Sequence, residues 1–560
     1  MRRLLRVSHV SLAPLVVAWL VSLETVAAAS NVTEVPDIGS EPMARGGAWI
    51  ARASDPLATA LNPAGLAGQQ TRLTLQANVI VHRTCFSRLK ATSDTTFGSN
   101  DTLLDATGHY PRVCNDISPA LSPQIGLSFR VNDRLGIGAL LTGPNAAGER
   151  TFPEFIEDAS GQKQAAPNRY LLTRQDGVVL FPTVGVGYEV IDGLRLGASV
   201  AWGVAKIKST AATTALNTDG ATSGNDVRAN LQVRDYFIPR VSLGAIWSAS
   251  PELDFAGWYQ WTDAVHASGD LGLGANYYTK QNAEGDSSNV RYGDTIFSDC
   301  GTGRPQDEGK CGGGDNAKVK LAWPMEAKLG VRYHKPRGTP LADDGRPTLA
   351  HARIRDPLAQ DVFDVEANVT WANNSAIDSI QVRFPGDPTG RGQLPVAGID
   401  GAEIPPNADQ PKNYNDVFGI RLGGDYNLLP DRLALRAGTF YETRAASAPY
   451  QNIDFAIGAR LGLAAGATYR IRLGEGDRTS ALEIMVGYGH VFVEKLEREG
   501  ASASGIPAVA GTSCNGGEPD PNDVARCADG SARYRTRWPV NLGTIENAVN
   551  LINVGLAYRF

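Results

Sequence analysis

The chain alternates apolar residues with small or polar ones along many short segments, and the last segment shows this most clearly. Its apolar positions are Ile552, Val554, Leu556, Tyr558 and Phe560, and the positions between them are Asn553, Gly555, Ala557 and Arg559. A period of two places successive side chains on opposite faces of a β-strand. The segment therefore predicts a strand with one apolar face and one small or polar face.

The same alternation recurs along the chain and predicts an all-β fold of about fourteen strands. We place them at 71–84, 122–131, 135–142, 178–191, 194–208, 236–249, 253–270, 317–334, 361–374, 416–429, 433–446, 455–473, 481–496 and 546–560. An even number of antiparallel strands returns the C-terminus to the side on which the first strand begins. The pattern favours a 14-stranded antiparallel transmembrane β-barrel.

The connectors between these segments alternate in length. Turns such as 192–193 and 430–432 are short, whereas the connectors near 143–177, 209–230, 276–316, 385–413 and 499–540 are long. Tight periplasmic turns and long extracellular loops are typical of outer-membrane barrels. One connector, 335–360, lies on the short side and is long and rich in proline, so it predicts an enlarged periplasmic turn.

The first residues predict a secretory signal peptide. Arg2, Arg3 and Arg6 precede an apolar stretch from Val10 to Leu23, and small residues end at Ala29. The apolar stretch is shorter than the roughly 20 residues that a spanning helix needs. We expect residues 1–29 to be removed on export and the mature chain to cross the membrane with strands alone.

Composition and charge agree with a membrane barrel. The chain has 61 glycines, a net charge of −6 and a mean hydropathy of −0.20. Strands that alternate lipid-facing and lumen-facing residues have an unremarkable mean hydropathy. The negative charge argues against nucleic acid as a partner. We expect a monomer surrounded by outer-membrane lipid, with no cofactor.

Six cysteines fall in pairs within or at the edge of predicted loops. The pairs are Cys85 and Cys114, Cys300 and Cys311, and Cys514 and Cys527. An exported chain favours three local disulfides. Metal binding is the alternative, although no Cys-x-x-Cys motif or accompanying histidine pair supports it.

The segment 30–70, between the signal peptide and the first strand, does not alternate. It reads Met43-Ala44-Arg45-Gly46-Gly47-Ala48-Trp49 and then, from residue 55, Asp-Pro-Leu-Ala-Thr-Ala-Leu-Asn-Pro-Ala-Gly-Leu-Ala-Gly. Proline and glycine at these intervals predict short helical turns rather than a strand.

Here the sequence resembles the FadL/TodX family of outer-membrane long-chain fatty acid and hydrocarbon transporters. The residues that carry the resemblance are Asn62, Pro63, Ala64, Gly65 and Leu66, the preceding Gly-Gly-Ala, the strand count, the terminal Phe560, and the segments 329–333 and 487–492. The resemblance implies that residues 30–70 form a hatch that plugs the barrel and that residues 62–65 help to hold it. It also implies passive, hatch-gated transport of hydrophobic molecules and a sideways opening in the third strand at Gly143 and Pro144.

Simpler interpretations of these motifs stay open. Asn-Pro and Pro-x-Gly sequences also occur in ordinary turns, and a proline often does no more than end a strand. A physical argument nevertheless favours a plug, because side chains fill the interior of an eight-stranded barrel but not that of a wider one.

Strand parity places several charged residues on the lumen side of the predicted wall. The basic ones are Arg130, Arg195, Arg421 and Arg436, and the acidic ones include Asp425 and Glu483. A guanidinium group matches a fatty-acid carboxylate bidentately. Alternatively, these charges pair with one another or anchor the hatch.

Two other classes of function remain as alternatives. An enzyme within the barrel would need a nucleophile, a histidine and an orienting group, but no Gly-x-Ser-x-Gly elbow accompanies the few histidines of the mature chain. A general porin or structural barrel would normally begin its first strand near the mature N-terminus. We also expect barrel-assembly machinery to bind the C-terminal strand that ends at Phe560.

Overall fold

The computed structural model describes most of the strands and part of the loops. Described are residues 38–91, 103–144, 149–161, 163–215, 226–275, 317–338, 355–383, 409–455, 457–474, 480–499 and 539–560, with short pieces at 277–278, 281–282, 290–291, 296–298, 305–306, 394–396, 403–404 and 506. The expected signal peptide lies outside the described residues. Within them, no helix is both long and apolar enough to cross a membrane.

Fourteen antiparallel strands form the wall, as the alternation predicts. They are β1 (Arg72–Arg88), β2 (Ala120–Arg130), β3 (Leu135–Thr142), β4 (Arg174–Ile191), β5 (Leu194–Thr214), β6 (Asp226–Ser250), β7 (Leu253–Thr262), β8 (Glu326–Pro336), β9 (Asp361–Ala372), β10 (Val417–Leu429), β11 (Leu433–Glu442), β12 (Arg460–Leu473), β13 (Ser480–Val493) and β14 (Gly543–Arg559). Each strand pairs with the next, and β14 pairs with β1 from Arg559 opposite Arg72 to Gly543 opposite Arg88. The sheet is therefore a closed barrel.

Shorter elements lie inside the barrel and in the loops. Before β1 come helices α1 (Ser40–Ala44) and α2 (Ala58–Leu61) and a 3-10 helix at Pro63–Leu66, and helix α3 (Pro357–Gln360) precedes β9. On the extracellular side, Val265–Ala275, Ala317–Leu321 and Ser379–Arg383 continue the wall beyond β7, β8 and β9. The remaining short strands are Val113–Cys114, Arg150–Thr151, Phe155–Glu157, Lys163–Ala165, Gln281–Asn282, Val290–Arg291, Ile296–Ser298, Pro305–Gln306, Leu394–Pro395, Glu403–Ile404, Gln410–Pro411 and Leu496–Arg498, and further 3-10 turns lie at Asn374–Ala376 and Ala448–Tyr450.

The two faces of the wall differ as the alternating pattern requires. On β14, Ile552, Val554 and Leu556 are half exposed on the outside, whereas Asn553 and Gly555 face the interior and are buried. Large apolar side chains are exposed in the same way on most other strands. An apolar outer band around a polar interior is the arrangement that a lipid bilayer demands of a barrel.

Both ends of one predicted loop are strand. We expected a long loop over 209–230, but Ser209 to Thr214 pair with Leu231 to Asp226, so β5 and β6 extend past the membrane band. The extension is stable because Val227 and Val233 are buried in an apolar cluster with Leu271 and Val319 from the neighbouring strands. The prediction failed because alternation is weak in the run Ser-Thr-Ala-Ala-Thr-Thr.

The extracellular loops carry one of the predicted disulfides. Cys85 at the top of β1 and Cys114 of the short strand paired with it are linked. The bond confirms the first cysteine pair. Cys300, Cys311, Cys514 and Cys527 lie outside the described residues, so their pairing stays a prediction.

Candidate functional site: the hatch and the lumen

The segment before β1 fills the barrel. Every residue from Ile38 to Gln69 is buried, and these residues are called the hatch below. Its backbone turns sharply at Gly46 and Gly47, whose φ angles of 62° and 81° favour glycine. Helices α1 and α2 and the 3-10 helix are the short helical turns that the sequence predicts. The segment lies within the lumen rather than beneath it.

Asn62 ties the hatch to itself and to the wall. Its Nδ2 donates to the carbonyl of Ile50 at 2.8 Å and to that of Ala245 in β6 at 3.4 Å. Its Oδ1 accepts from the backbone N–H of Ala64 at 3.2 Å and so caps the 3-10 helix. Pro63 takes the first helical position, where no N–H is needed. These contacts support the role that the resemblance implies for residues 62–64.

A row of glycines in the wall receives this motif. Gly136, Gly187, Gly197 and Gly244 lie opposite one another on β3, β4, β5 and β6. A Cβ atom on any of them would overlap with the hatch between Asn62 and Ala67. Gly65 itself packs against Ala53 within the hatch. Glycines in a strand mark places where another backbone approaches closely, and here that backbone is the hatch.

A second contact forms on the opposite wall. Gly423 of β10 and Gly438 of β11 are paired, and a Cβ on either would overlap with the backbone of Arg45. The same holds for Gly46 against Thr439. The hatch therefore packs tightly against glycines on two opposite sides of the barrel wall.

Buried ion pairs hold this second side. Arg45 Nη1 lies 2.6 Å from Asp364 of β9 and 2.7 Å from Asp425 of β10, and Arg52 also contacts both carboxylates. Glu366 accepts the backbone N–H groups of Ala51 at 2.9 Å and Arg52 at 3.0 Å. All these side chains are almost fully buried. Removing one partner of such a network leaves an uncompensated buried charge, which is strongly unfavourable.

The described end of the enlarged turn between β8 and β9 contacts both the hatch and the wall. Of this turn, residues 339–354 lie outside the described part, and residues 355–360 cross beneath the hatch. Arg355 donates to the carbonyls of Ala51 at 2.9 Å and Gly68 at 2.8 Å. Asp356 lies 2.8 Å from Arg470 of β12 and 2.7 Å from Arg559 of β14. We call residues 355–360 the strap.

The charge of Asp356 is well stabilised. Burial raises the pKa of this carboxyl, but Arg559 and Arg470 more than offset that effect, so the pKa lies well below its ordinary value. The strap is therefore attached through an ionised carboxylate. The sequence predicted the enlarged turn but not its contact with the hatch.

Gly143 and Pro144 lie where β3 leaves the wall. Thr142 pairs with Phe181 and Arg150 with Gln175, and among the described residues neither Gly143 nor Pro144 pairs with β4. Gly143 packs against the backbone of Val179, and its carbonyl accepts from Ser122 Oγ at 2.9 Å. A sideways opening of the wall at Gly143 and Pro144 stays a prediction.

Both residues also line a small cavity beside the hatch. Its volume is about 40 Å³. The hatch contributes Ile38, Ala60 and Leu61, the wall contributes Phe181, Trp258 and Trp323, and the polar part of the lining is Thr142, Arg240, Gln260, Glu326 and Lys328. Trp258 Nε1 donates to the carbonyl of Ala60 at 3.0 Å and so connects this wall to the hatch.

The four predicted lumen arginines do not form one site. Arg436 contacts Glu41 of the hatch at 3.4 Å and Asp425 at 3.2 Å, so it belongs to the hatch anchor. Arg421 pairs with Glu442 at 3.0 Å, and buried Arg195 lies opposite Glu189. Arg130 lies at the periplasmic rim and pairs with Asp133 at 2.6 Å. These contacts favour the alternative interpretation, in which lumen charges pair with one another or with the hatch.

The anchoring glycines, Arg45 and Arg52 were not identified as site residues from the sequence. The alternation along each strand places these glycines on the lumen face. Their alignment across neighbouring strands, however, depends on the register of those strands. No local signal distinguishes them from other glycines.

Comparison with known proteins agrees with this architecture. Residues 347–512 match the family model described as outer membrane protein transport protein (OMPP1/FadL/TodX). Among curated proteins, none matches the sequence. The description of that family model names outer-membrane transport proteins.

Two solved structures share the fold at low sequence identity. A FadL homologue of Pseudomonas aeruginosa is 16% identical with a TM-score of 0.57, over 94% of this chain and 99% of that chain. The toluene transporter TodX of Pseudomonas putida is 13% identical with a TM-score of 0.51, over 94% and 99%. The sequence match over residues 347–512 confirms the resemblance to the OMPP1/FadL/TodX family of outer membrane transport proteins, and the fold agrees with it over nearly the whole chain.

Proposed function

We propose that the protein is a passive outer-membrane channel for hydrophobic small molecules, gated by the hatch. The observation that carries this proposal is the complete burial of residues 38–69 inside a closed barrel. A plug held by hydrogen bonds, ion pairs and close packing can rearrange without any change in strand pairing. Transport then needs no energy source other than the concentration gradient of the solute.

The chemistry of the lumen supports an apolar solute. Beyond the hatch on the extracellular side, Phe181, Ile238, Leu271 and Trp323 belong to one buried apolar cluster. An apolar solute gains free energy when it leaves water for such a surface. The toluene transporter that shares this fold makes aromatic hydrocarbons reasonable substrates for this chain, beside long-chain fatty acids.

The path out of the barrel has two candidate routes. Among the described residues, neither Gly143 nor Pro144 pairs with β4, and this supports lateral release into the membrane at that place. The strap beneath the hatch opposes release straight into the periplasm. We favour the lateral route.

Deleting residues 30–68 tests the gate. All strands of the barrel follow residue 70, so the deleted chain should still fold, as judged by heat-modifiable migration in gels. It should conduct ions as an emptied wide barrel does, and it should lose selective uptake of toluene by intact cells. Asn62→Ala should have a milder effect, because each lost hydrogen bond contributes only about 0.5–1.5 kcal/mol.

The alternative functions predict different experimental results. A general porin would show a large steady conductance in the wild-type protein, whereas a plugged channel stays nearly silent. An enzyme would hydrolyse lipid in a purified preparation, and we expect no turnover. Conductance near zero and unchanged toluene uptake in the deletion variant would refute hatch gating.

The C-terminal strand supports recognition by barrel-assembly machinery. Phe560 is 66% exposed on the outer face, and its N–H donates to the carbonyl of Thr71 at 3.2 Å. Deleting Phe560 should lower the amount of assembled protein in the outer membrane, measured by quantitative blotting of membrane fractions.

A further inference from the structure

A row of basic residues crosses the outer face of the wall on the extracellular side. In the order of the neighbouring strands, its members are Lys206 of β5, Arg234 of β6, and Ser268, Lys318 and Arg383 of the wall extensions. Each member is the direct cross-strand partner of the next. The row spans four strand spacings of about 4.8 Å, or roughly 19 Å. We call these five residues the basic row.

The side chains of the basic row point away from the lumen. Lys206, Arg234 and Lys318 are exposed. A strand neighbour of each is buried in the apolar cluster inside the barrel, and these neighbours are Ala205, Val233 and Val319. Successive residues of a strand lie on opposite faces, so the cations project outward from the wall.

The basic row lies just beyond the apolar band of the wall. On β5, the outward-facing residues from Leu196 to Trp202 are apolar or small, and Lys206 follows them toward the extracellular end. Trp202, Tyr236 and Phe237 are more than half exposed below the row. Tryptophan and tyrosine are enriched where a membrane meets water. The basic row is therefore at the level of the lipid headgroups.

Two pairs of like charges face each other directly in the basic row. Lys206 lies opposite Arg234, and Lys318 lies opposite Arg383. Like charges directly opposite each other destabilise a sheet. An anion bound over the row would offset this repulsion.

Acidic residues on this part of the outer face are fewer than basic ones. Lys320 adds an exposed cation one step nearer the membrane, opposite His266. Asp270 lies one step farther from the membrane, and Asp409 contacts Arg383. The basic row and Lys320 together have five cations, and these two carboxylates leave a net charge of +3.

An apolar groove lies on the outer face next to the basic row. Trp202 and Phe237 line it, together with the exposed side chains of Ile125, Val184 and Val200. Such a groove can receive acyl chains. A lipid with an anionic headgroup therefore fits both parts of this surface, whereas a free anion would use the basic row alone.

We propose that the basic row and Lys320 bind the phosphate groups of lipid A, the phosphorylated glycolipid of the outer leaflet of the outer membrane. Phosphate oxygens accept strong, charge-assisted hydrogen bonds from ammonium and guanidinium groups. Clusters of lysine and arginine beside a membrane attract anionic headgroups. The acyl chains of the lipid lie against Trp202, Phe237 and the apolar groove. This site is on the outside of the barrel and is independent of the transport function proposed above.

Binding of lipid A to the purified protein in detergent tests the proposal by native mass spectrometry. We expect lipid A to bind at least about tenfold more tightly than lipid A from which the phosphates have been removed. A variant that combines Lys206→Gln, Arg234→Gln and Lys318→Gln should bind lipid A at least about tenfold more weakly than the wild type. The three positions are exposed, so the barrel should assemble normally.

A matched control removes three cations from other extracellular strand ends. It combines Arg112→Gln, Arg444→Gln and Lys495→Gln, and each of these cations is already paired with a glutamate. The control should bind lipid A like the wild type. An equal loss of binding in both triple variants would show that overall charge attracts the lipid, and it would refute the proposed site.

The choice of lipid decides the remaining outcomes. Equal binding of lipid A and its phosphate-free form would show that the phosphates are not recognised, and the proposal would be wrong. Phosphatidylglycerol or inorganic phosphate that binds as tightly as lipid A would assign the surface to anionic lipid in general or to free anions, and would also overturn the proposal. If the triple variant does not assemble, the comparison of these probes on the wild-type protein still decides.

Discussion

Asn62 of the hatch lies directly against Gly244 of β6, with no space between them for a side-chain atom. A Cβ built on Gly244 would overlap with Asn62 Oδ1, while Asn62 Nδ2 donates to the carbonyl of the next residue, Ala245. The wall therefore accepts the hatch here only because position 244 is glycine.

Gly244→Ala should loosen the hatch without unfolding the barrel. The added methyl group displaces Asn62 and with it the cap of the 3-10 helix, and overpacking of this kind typically costs about 1–3 kcal/mol. We expect an increased ion conductance in planar bilayers. Gly257→Ala on neighbouring β7 is the matched control, because a Cβ there meets only Leu329 at 3.6 Å. Equal conductance of the two variants would contradict the close contact.

The fold was predictable from the sequence to a large extent, whereas the anchoring of the hatch was not. Alternation along β14 is a local property, because each side chain faces lipid or lumen according to its own position. The contact of Arg45 with Asp364 joins residues 319 positions apart, and its geometry depends on the closed barrel. The position of Asp425 in its strand predicted a charge that faces the lumen. Nothing in the sequence indicated that Arg45 and Arg52 are its partners.

Asp364→Asn tests the ion pairs. This carboxylate contacts Arg45, Arg52 and Arg332, and none of the four side chains is appreciably exposed. Removing one charge from a buried network costs about 3–5 kcal/mol. We expect the variant to assemble with a more mobile hatch, measured as faster hydrogen exchange over residues 40–55.

An exposed pair provides the control for that experiment. Asp192 contacts Arg134 at 3.0 Å, and both side chains are at least 39% exposed. Exposed pairs contribute about 0–1 kcal/mol, so Asp192→Asn should exchange like the wild type. If Asp364→Asn also exchanges like the wild type, the ion pairs are not what holds the hatch.

Asp356→Asn tests the strap. The variant loses the charge that Arg470 and Arg559 share, and the strap should detach from β12 and β14. Because the pKa of Asp356 lies well below its ordinary value, its contribution is complete above an unfolded pKa of about 3.9 and is lost only as the pH falls through the lower folded value. We therefore expect wild-type strap attachment to be constant from pH 5 to pH 8 and absent throughout in the variant, measured by the protease sensitivity of residues 355–360. A strap equally resistant in both proteins would show that other contacts suffice.

Asp55 gives the hatch a pH dependence of the opposite sign. It is fully buried in the hatch, and its Oδ1 accepts from the N–H of Leu57 at 2.7 Å, while its Oδ2 has no partner among the described residues. Burial raises the pKa of Asp55 to about 7, and nearby Glu41 adds to this effect while Arg72 opposes it.

The direction of this pH dependence follows because the folded hatch favours the protonated form of Asp55. The contribution of Asp55 to hatch stability is complete below the unfolded pKa of about 3.9, and it is lost as the pH rises through the folded value near 7. The loss amounts to at most about 1.4 kcal/mol per pH unit within that window.

We therefore expect the ion conductance of the wild-type protein to rise between pH 5 and pH 8, as the hatch loosens. Asp55→Asn keeps an acceptor for Leu57 and cannot ionise, so its conductance should stay low and flat over the same range. Asp192→Asn, on the exposed turn between β4 and β5, should retain the wild-type profile. A wild-type conductance that does not change with pH would show that Asp55 is already compensated in the folded hatch, and a variant that follows the wild-type curve would assign the pH dependence to another group.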